Sequence, residues 1–263
     1  MAVISPKPIG VYDLLVESRC SLLEQAKAGN QGDGWGVGYY LDGELRVLKS
    51  PGAVYEEEGA FKRVAMSIRS RMVVAHVRKA SNPRGLRKEL LISMENTQPF
   101  AHRNVVFAHN GVIYVPDEVL SRLEPRYRRM VRGLNDSEVY FVLLLKALEQ
   151  ADDVSDALRV VEEELLEAFE ECGGRVEKPY SSLNAVFSDG ERLYAYNKYL
   201  SEEGKSLCLG DQPYYQMVYT HVGDAFAVAS EKIGEHRWVG MENGELLEAY
   251  VEDGRVRYRV RRL

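Results

Sequence analysis

Strand-like segments occupy both ends of this chain and helix-like segments its middle, an order that restricts the fold more than any single motif does. Near the start, Val3-Ile4 is the stub of an apolar strand that stops at Ser5-Pro6. Apolar positions at Val11, Leu14, Leu15, Leu22, Leu23 and Ala26 then have helical spacing over residues 11–28. Residues 37–41 turn at Asp42-Gly43 and return through 45–48 as a β-hairpin, and residues 59–69 read as a short helix. Residues 72–77 form a strand aimed at Arg78, and residues 81–94, with Asn82-Pro83-Arg84-Gly85 inside them, a loop. Residues 137–149 and 154–171 are amphipathic helices. From Ser182 the texture returns to strands, at 183–187, 192–196, 217–219, 225–229, 237–239, 245–251 and 256–260. No linker-like composition and no internal repeat separates these parts. The expectation is a single α+β domain over residues 1–263 whose sheet contains both ends of the chain.

Composition narrows the class. With 45% hydrophobic and 28% charged residues the chain can bury a substantial core, and it has no apolar run of the ~18 residues that spanning a membrane requires. The start, Met1-Ala2-Val3-Ile4-Ser5-Pro6, has neither the basic nor the apolar region of a secretory signal. Cys20, Cys172 and Cys208 are odd in number and form no CxxC pair, which argues against a disulfide framework and fits a reducing cytoplasm. A net charge of −6 argues against a general nucleic-acid binder. Arg255, Arg257, Arg259 and Arg261 alternate with Val256, Tyr258 and Val260, so their guanidinium groups share one face of a terminal strand. That pattern suits a charged edge strand that resists aggregation, with an acidic docking partner as the other reading.

The chemistry concentrates in Phe107-Ala108-His109-Asn110-Gly111-Val112-Ile113. Here an apolar strand ends in a side-chain amide next to a glycine N–H. Taken alone, Asn110-Gly111 is a turn signal. It also has the makings of an oxyanion hole, two donors aimed at a developing negative oxygen. Ala75-His76-Val77-Arg78-Lys79-Ala80-Ser81 and Glu95-Asn96-Thr97-Gln98-Pro99-Phe100 upstream, with Asn135-Asp136-Ser137-Glu138 opening a helix downstream, favour the second reading.

The ordered set resembles the class II glutamine amidotransferases, members of the N-terminal-nucleophile hydrolases. It most resembles a stand-alone subgroup whose glycine loop reads Asp-Gly-Trp-Gly, here Asp33-Gly34-Trp35-Gly36, and the likeness extends to Asn184, Asp189-Gly190 and Val228-Ala229-Ser230-Glu231. The resemblance implies a four-layer αββα sandwich in which two mainly antiparallel sheets face each other. It implies hydrolysis of the side-chain amide of glutamine by an N-terminal cysteine, whose α-amine acts as base, with ammonia released to an acceptor. Arg78 would grip the α-carboxylate, Asp136 the α-ammonium, and Asn110 with Gly111 the oxyanion, while Ser81 matches a threonine beside the substrate. Asn96, Thr97 and Gln98 match a segment flanking the pocket. His76 and His109 are read as structural, turned away from Arg78 and Asn110. No cofactor or metal is implied, and no HxH or HxxxH spacing among His76, His102, His109, His221 and His236 suggests one.

The sequence departs from this family at its start. Removal of Met1 would expose Ala2, which has no nucleophilic atom, and Cys20 lies within the first predicted helix with its amine in a peptide bond. One explanation is a true start a few codons upstream that supplies the cysteine. The other is a catalytically inactive glutamine-binding or regulatory protein on the same fold. A second departure is Gln31-Gly32 ahead of Asp33, where the subgroup commonly carries a histidine. The acceptor, a possible synthetase partner and the oligomeric state have no signature in the chain.

Overall fold

A computed structural model describes residues 1–200 and 204–263. In chain order the first strands are β1 (Ala2–Gly10), β2 (Trp35–Leu41), β3 (Glu44–Ser50), β4 (Arg69–Val77), β5 (Phe100–His102) and β6 (Val105–Asn110). After a helical middle come β7 (Asn184–Ser188), β8 (Arg192–Asn197), β9 (Val218–Val222), β10 (Ala225–Ala229), β11 (Val239–Gly240), β12 (Glu245–Glu252) and β13 (Arg255–Arg262). The helices are α1 (Leu22–Ala28), α2 (Glu58–Ser67), α3 (Lys88–Leu91), α4 (Pro116–Arg122), α5 (Pro125–Arg128), α6 (Asp136–Gln150) and α7 (Val154–Glu171). None is long and apolar enough to cross a membrane.

Seven strands pair in the order β11-β9-β10-β1-β4-β2-β3 and six in the order β13-β12-β8-β7-β6-β5, every recorded pairing within them antiparallel. The side-chain period of two sorts each strand between layers. Ala2 and Ile4 of β1, Met72 and Val74 of β4, and Val106 and Ala108 of β6 pack together between the sheets. Val3, Val73 and Ala75 point the other way, into a core shared with Leu22, Leu23 and Phe61 of α1 and α2. Phe107 and Phe187 turn outward onto α6 and α7. These three cores between four layers make the αββα sandwich that the resemblance implied.

The structure corrects the sequence reading in several places. β1 does not stop at Ser5-Pro6 but runs to Gly10, with a register shift between Ile4 and Ile9. Pro6 and Pro8 fall in that irregular stretch, where the ladder asks nothing of the N–H a proline lacks. Helical spacing over 11–28 resolves into a π-helical turn at Asp13–Glu17 and, after a break, α1. Cys20 sits in the break with φ 54° rather than within a helix. Cys20 and Cys208 form a disulfide, contrary to the expectation from cysteine number, and Cys172 is free. Two cysteines 188 residues apart carry no local pattern that would reveal their pairing. The arginine stripe does lie on an edge strand, β13, with Arg259 and Arg261 drawn to the buried Glu248 of β12.

Candidate active site

The two sheets open at one end into a cavity that residues of both of them line. It lies where β1 ends between its neighbours. Met1 and Ala75 exchange both backbone hydrogen bonds, each 2.8–2.9 Å. Beyond that level the cavity is walled by His76 and Val77 of β4 and by Ser230 and Glu231 after β10. Ala108, His109 and Asn110 of β6 and Asn184 and Val186 of β7 form the opposing wall. The α-amine of Met1 is buried, and burial lowers its pKa to about 5, so that it is neutral near pH 7.

β6 ends at Asn110, whose strand partner is Asn184. Alternation gives Asn110 the orientation of Ala108, toward the space between the sheets. The chain does not reverse into a hairpin after Gly111; it passes Ile113 and enters α4. Gly111 is required by crowding, since a Cβ there would stand 2.2 Å from the carbonyl oxygen of Ser182 and 2.7 Å from His109 Nε2. Gln98 holds the end of β6 from the side, its amide oxygen accepting the His109 N–H at 2.7 Å and its Nε2 donating to the His109 carbonyl.

His109 itself faces α6. Its Nε2 lies 2.9 Å from the Ser182 carbonyl and must donate to it, so Nδ1 accepts from Ser137 Oγ at 2.9 Å. Burial lowers its pKa, against the pull of the Ser182 bond and Asp136. His76 differs from expectation. It lies two residues before Arg78, so the strand period puts it with Val74 on the inter-sheet face, in the cavity wall. Its Nδ1 is buried without a partner, and burial first, then the charges of the N-terminus and Arg78, lower its pKa to about 3.

A second cluster adjoins this wall. Asn135 caps α6, accepting the Ser137 N–H, which places Asp136 in the first turn. Asp136 is buried; Oδ1 accepts from Ser81 Oγ at 2.5 Å and Oδ2 from the Ile113 N–H at 2.8 Å. Arg78 is 2% exposed, and its Nη1 donates to the carbonyls of Asp33 and Leu91. Its Nη2 is buried with no partner. Burial lowers the Arg78 pKa, while the charges of Asp33 and Asp136 oppose that. Asp33 is also half of the glycine loop's anchor. Burial would raise its carboxyl, but the Ala80 N–H and the Lys88 ammonium hold it below its ordinary value. Gly34, with φ 127°, lets the loop turn from Asp33 into β2. Of the residues picked out by sequence, then, Asn110 lines the cavity. Ser81, Asp136 and Arg78 do not line it; Asp136 bonds Ser81 and the Ile113 N–H, and its charge reaches Arg78.

Comparison with known proteins places this geometry. Residues 10–261 match the profile of the family described as glutamine amidotransferases class-II. The chain belongs to that family. It is 28% identical over 232 residues to an uncharacterized protein of Methanocaldococcus jannaschii, covering 82% of this chain and 60% of that one. It is 33% identical over 126 residues to YafJ of Escherichia coli, which is named provisionally as a glutamine amidotransferase, covering 46% and 45%. The chain thus spans about half to 60% of the length of these relatives. Among solved structures, a glutamine aminotransferase class-II domain protein from Silicibacter pomeroyi superposes with a TM-score of 0.64 at 20% identity, over 98% of this chain and 97% of that one. Glutamine phosphoribosylpyrophosphate amidotransferase from Bacillus subtilis gives 0.55 at 15%, over 98% and 48%. Both show the same fold.

In this chain a further part of the cavity wall comes from a segment without a sequence motif. Ser206, Leu207 and Tyr214 line the cavity together with Leu22 and Gln25 of α1. Cys20, Cys208 and Glu231 offer ligand atoms within 4.8 Å of one another. Both sulfurs are joined in the disulfide, however, and Glu231 accepts the N–H groups of Leu207, Cys208 and Leu209, so the donor set does not suit a metal ion.

Proposed function

We propose that this chain binds glutamine at the end of the sandwich and hydrolyses its side-chain amide, releasing ammonia, when a cysteine leads β1. The observation that carries the reading is the unpaired, buried Nη2 of Arg78. A buried guanidinium donor without an acceptor is costly, and a carboxylate would satisfy it in the planar geometry that arginine offers. Asp136 keeps one lone pair free on each oxygen after bonding Ser81 and Ile113, enough to receive an α-ammonium. Asn110 Nδ2 and the Gly111 N–H are then the donors for the tetrahedral oxyanion.

The register of β1 supports a place for the nucleophile. Ala2 pairs with Val74 and with Val228, so a residue preceding Met1 would stand level with His76 and Ser230, and the third one level with Arg78. His76 and Ser230 line the cavity, and Arg78 directly follows Val77 of its wall. A peptide N–H there would also relieve the burial of the Met1 amine. The thiolate of such a cysteine would attack the amide carbon, ammonia would leave, and water would hydrolyse the thioester to glutamate and free thiol.

The test is titration calorimetry of glutamine into the chain as it stands, with ammonia release from a chain prolonged by Cys and two strand-forming residues ahead of Met1. Binding with turnover in the prolonged chain supports the reading. Binding without ammonia release makes this a glutamine-binding protein, and no binding to either chain removes the proposal.

A further inference from the structure

The disulfide joins two walls of the cavity that belong to neither sheet. Cys20 precedes α1, whose Leu22 and Gln25 face the cavity, and Gln25 Nε2 donates back to the Cys20 carbonyl at 2.8 Å. Cys208 follows Ser206 and Leu207, which also line the cavity. Leu207 packs on the end of α1 so closely that a Cβ at Gly29 would lie 2.5 Å from its Cδ1.

The rest of the 204–216 segment is tied to the end of β10. Glu231, 4% exposed, receives the N–H groups of Leu207, Cys208 and Leu209 at 2.8–2.9 Å. The Gln212 side chain bonds the carbonyls of Gln216 and Ser230 and the Lys232 N–H. Tyr215 and Gln216 tie the end of the segment to Ser181, Asn184 and Met241 as well; the covalent tie to α1 is the disulfide. The segment brings to the wall a hydroxyl, Ser206 Oγ, that is buried without a partner and available to a polar ligand.

We propose that the Cys20–Cys208 disulfide is a redox-sensitive strap that holds the 206–214 segment against α1 and thereby sets the affinity of the cavity for its amide ligand. The ligand's identity rests on the glutamine reading above; the strap itself does not. Closure proceeds by exchange with a small-molecule disulfide. One cysteine thiolate attacks a sulfur of that disulfide and expels a thiolate, and the second cysteine thiolate then displaces the other half from the mixed disulfide. Two electrons pass to the small molecule, which leaves as two thiols. A dithiol reductant reverses the sequence and frees the segment from α1.

The experiment compares the folded chain before and after mild dithiol reduction, alongside Cys20→Ser. Thiol titration should find only Cys172 in the oxidised protein and all three cysteines after reduction. Glutamine affinity should fall roughly 10-fold on reduction. Cys20→Ser should match the reduced form and ignore reductant. Hydrogen exchange at the Leu207, Cys208 and Leu209 amides should quicken in both open forms while β1 and β4 stay protected. Equal affinity and equal exchange in oxidised and reduced protein would overturn the strap. If glutamine binds neither form, the glutamine reading fails and the exchange rates alone decide the strap.

Discussion

Arg78 and Asp33 hold each other through backbone and side chain together. The Asp33 N–H donates to the Arg78 carbonyl at 2.9 Å, and Arg78 Nη1 donates back to the Asp33 carbonyl at 3.1 Å. One end of the guanidinium is thereby fixed and the other left free. Arg78→Lys keeps the charge but loses the fork. Glutamine affinity should fall by roughly 50–100-fold, the loss of one charge-assisted pair of bonds. Calorimetric titration that returned the wild-type affinity would remove Arg78 from the carboxylate site.

Asn110→Ala should act on the transition state rather than on binding. In a chain prolonged to carry the cysteine, kcat should fall roughly 10²-fold or more with KM little changed, because the lost donor matters only once the oxygen is charged. Steady-state ammonia release checks it, and an unchanged kcat would remove the oxyanion assignment.

Much of this arrangement was legible because its signals are local. Asn110-Gly111 at a strand end, Arg78 after β4 and Asn135-Asp136 at a helix start each announce themselves within a few residues. The long β1 was not, because Pro6 and Pro8 read as a strand stop unless the bulge between Ile4 and Ile9 is known. Cys20–Cys208 and the wall built by Ser206, Leu207 and Tyr214 depend on contacts between distant parts of the chain. His76 could have been found: the two-residue period that sends Val74 between the sheets sends His76 there as well.

Gly111→Ala should be among the most damaging single-methyl additions in the chain. The new Cβ would meet the Ser182 carbonyl oxygen at 2.2 Å, and backbone that is itself paired through Leu183 and Lys198 cannot swing aside as a flexible side chain would. A loss of about 2–3 kcal/mol or more is expected, read as a lower urea midpoint at unchanged slope. A midpoint within error of wild type would mean that the 110–113 segment is looser than its contacts indicate.

The buried amine of Met1 gives stability a particular pH dependence. Its ordinary pKa of 8.0 falls to about 5 in the folded chain, chiefly through burial, so between those values the unfolded chain binds a proton that the folded one refuses. Stability therefore rises with pH across that window and, for this group, is level below it. His76, lowered from 6.5 to about 3 by burial and by the N-terminal and Arg78 charges, adds the same sign between those two values. Between pH 6.5 and 8 the amine dominates this pair and should account for a gain of about 1–2 kcal/mol. Prolonging β1 by three residues converts the amine into a peptide N–H facing the Ala75 carbonyl and should remove that gain, while the part of the His76 acid limb that burial causes remains. Urea unfolding of both chains at pH 6.5 and 8 decides the point, and equal pH slopes in the two would show that the amine is not held neutral at the end of β1.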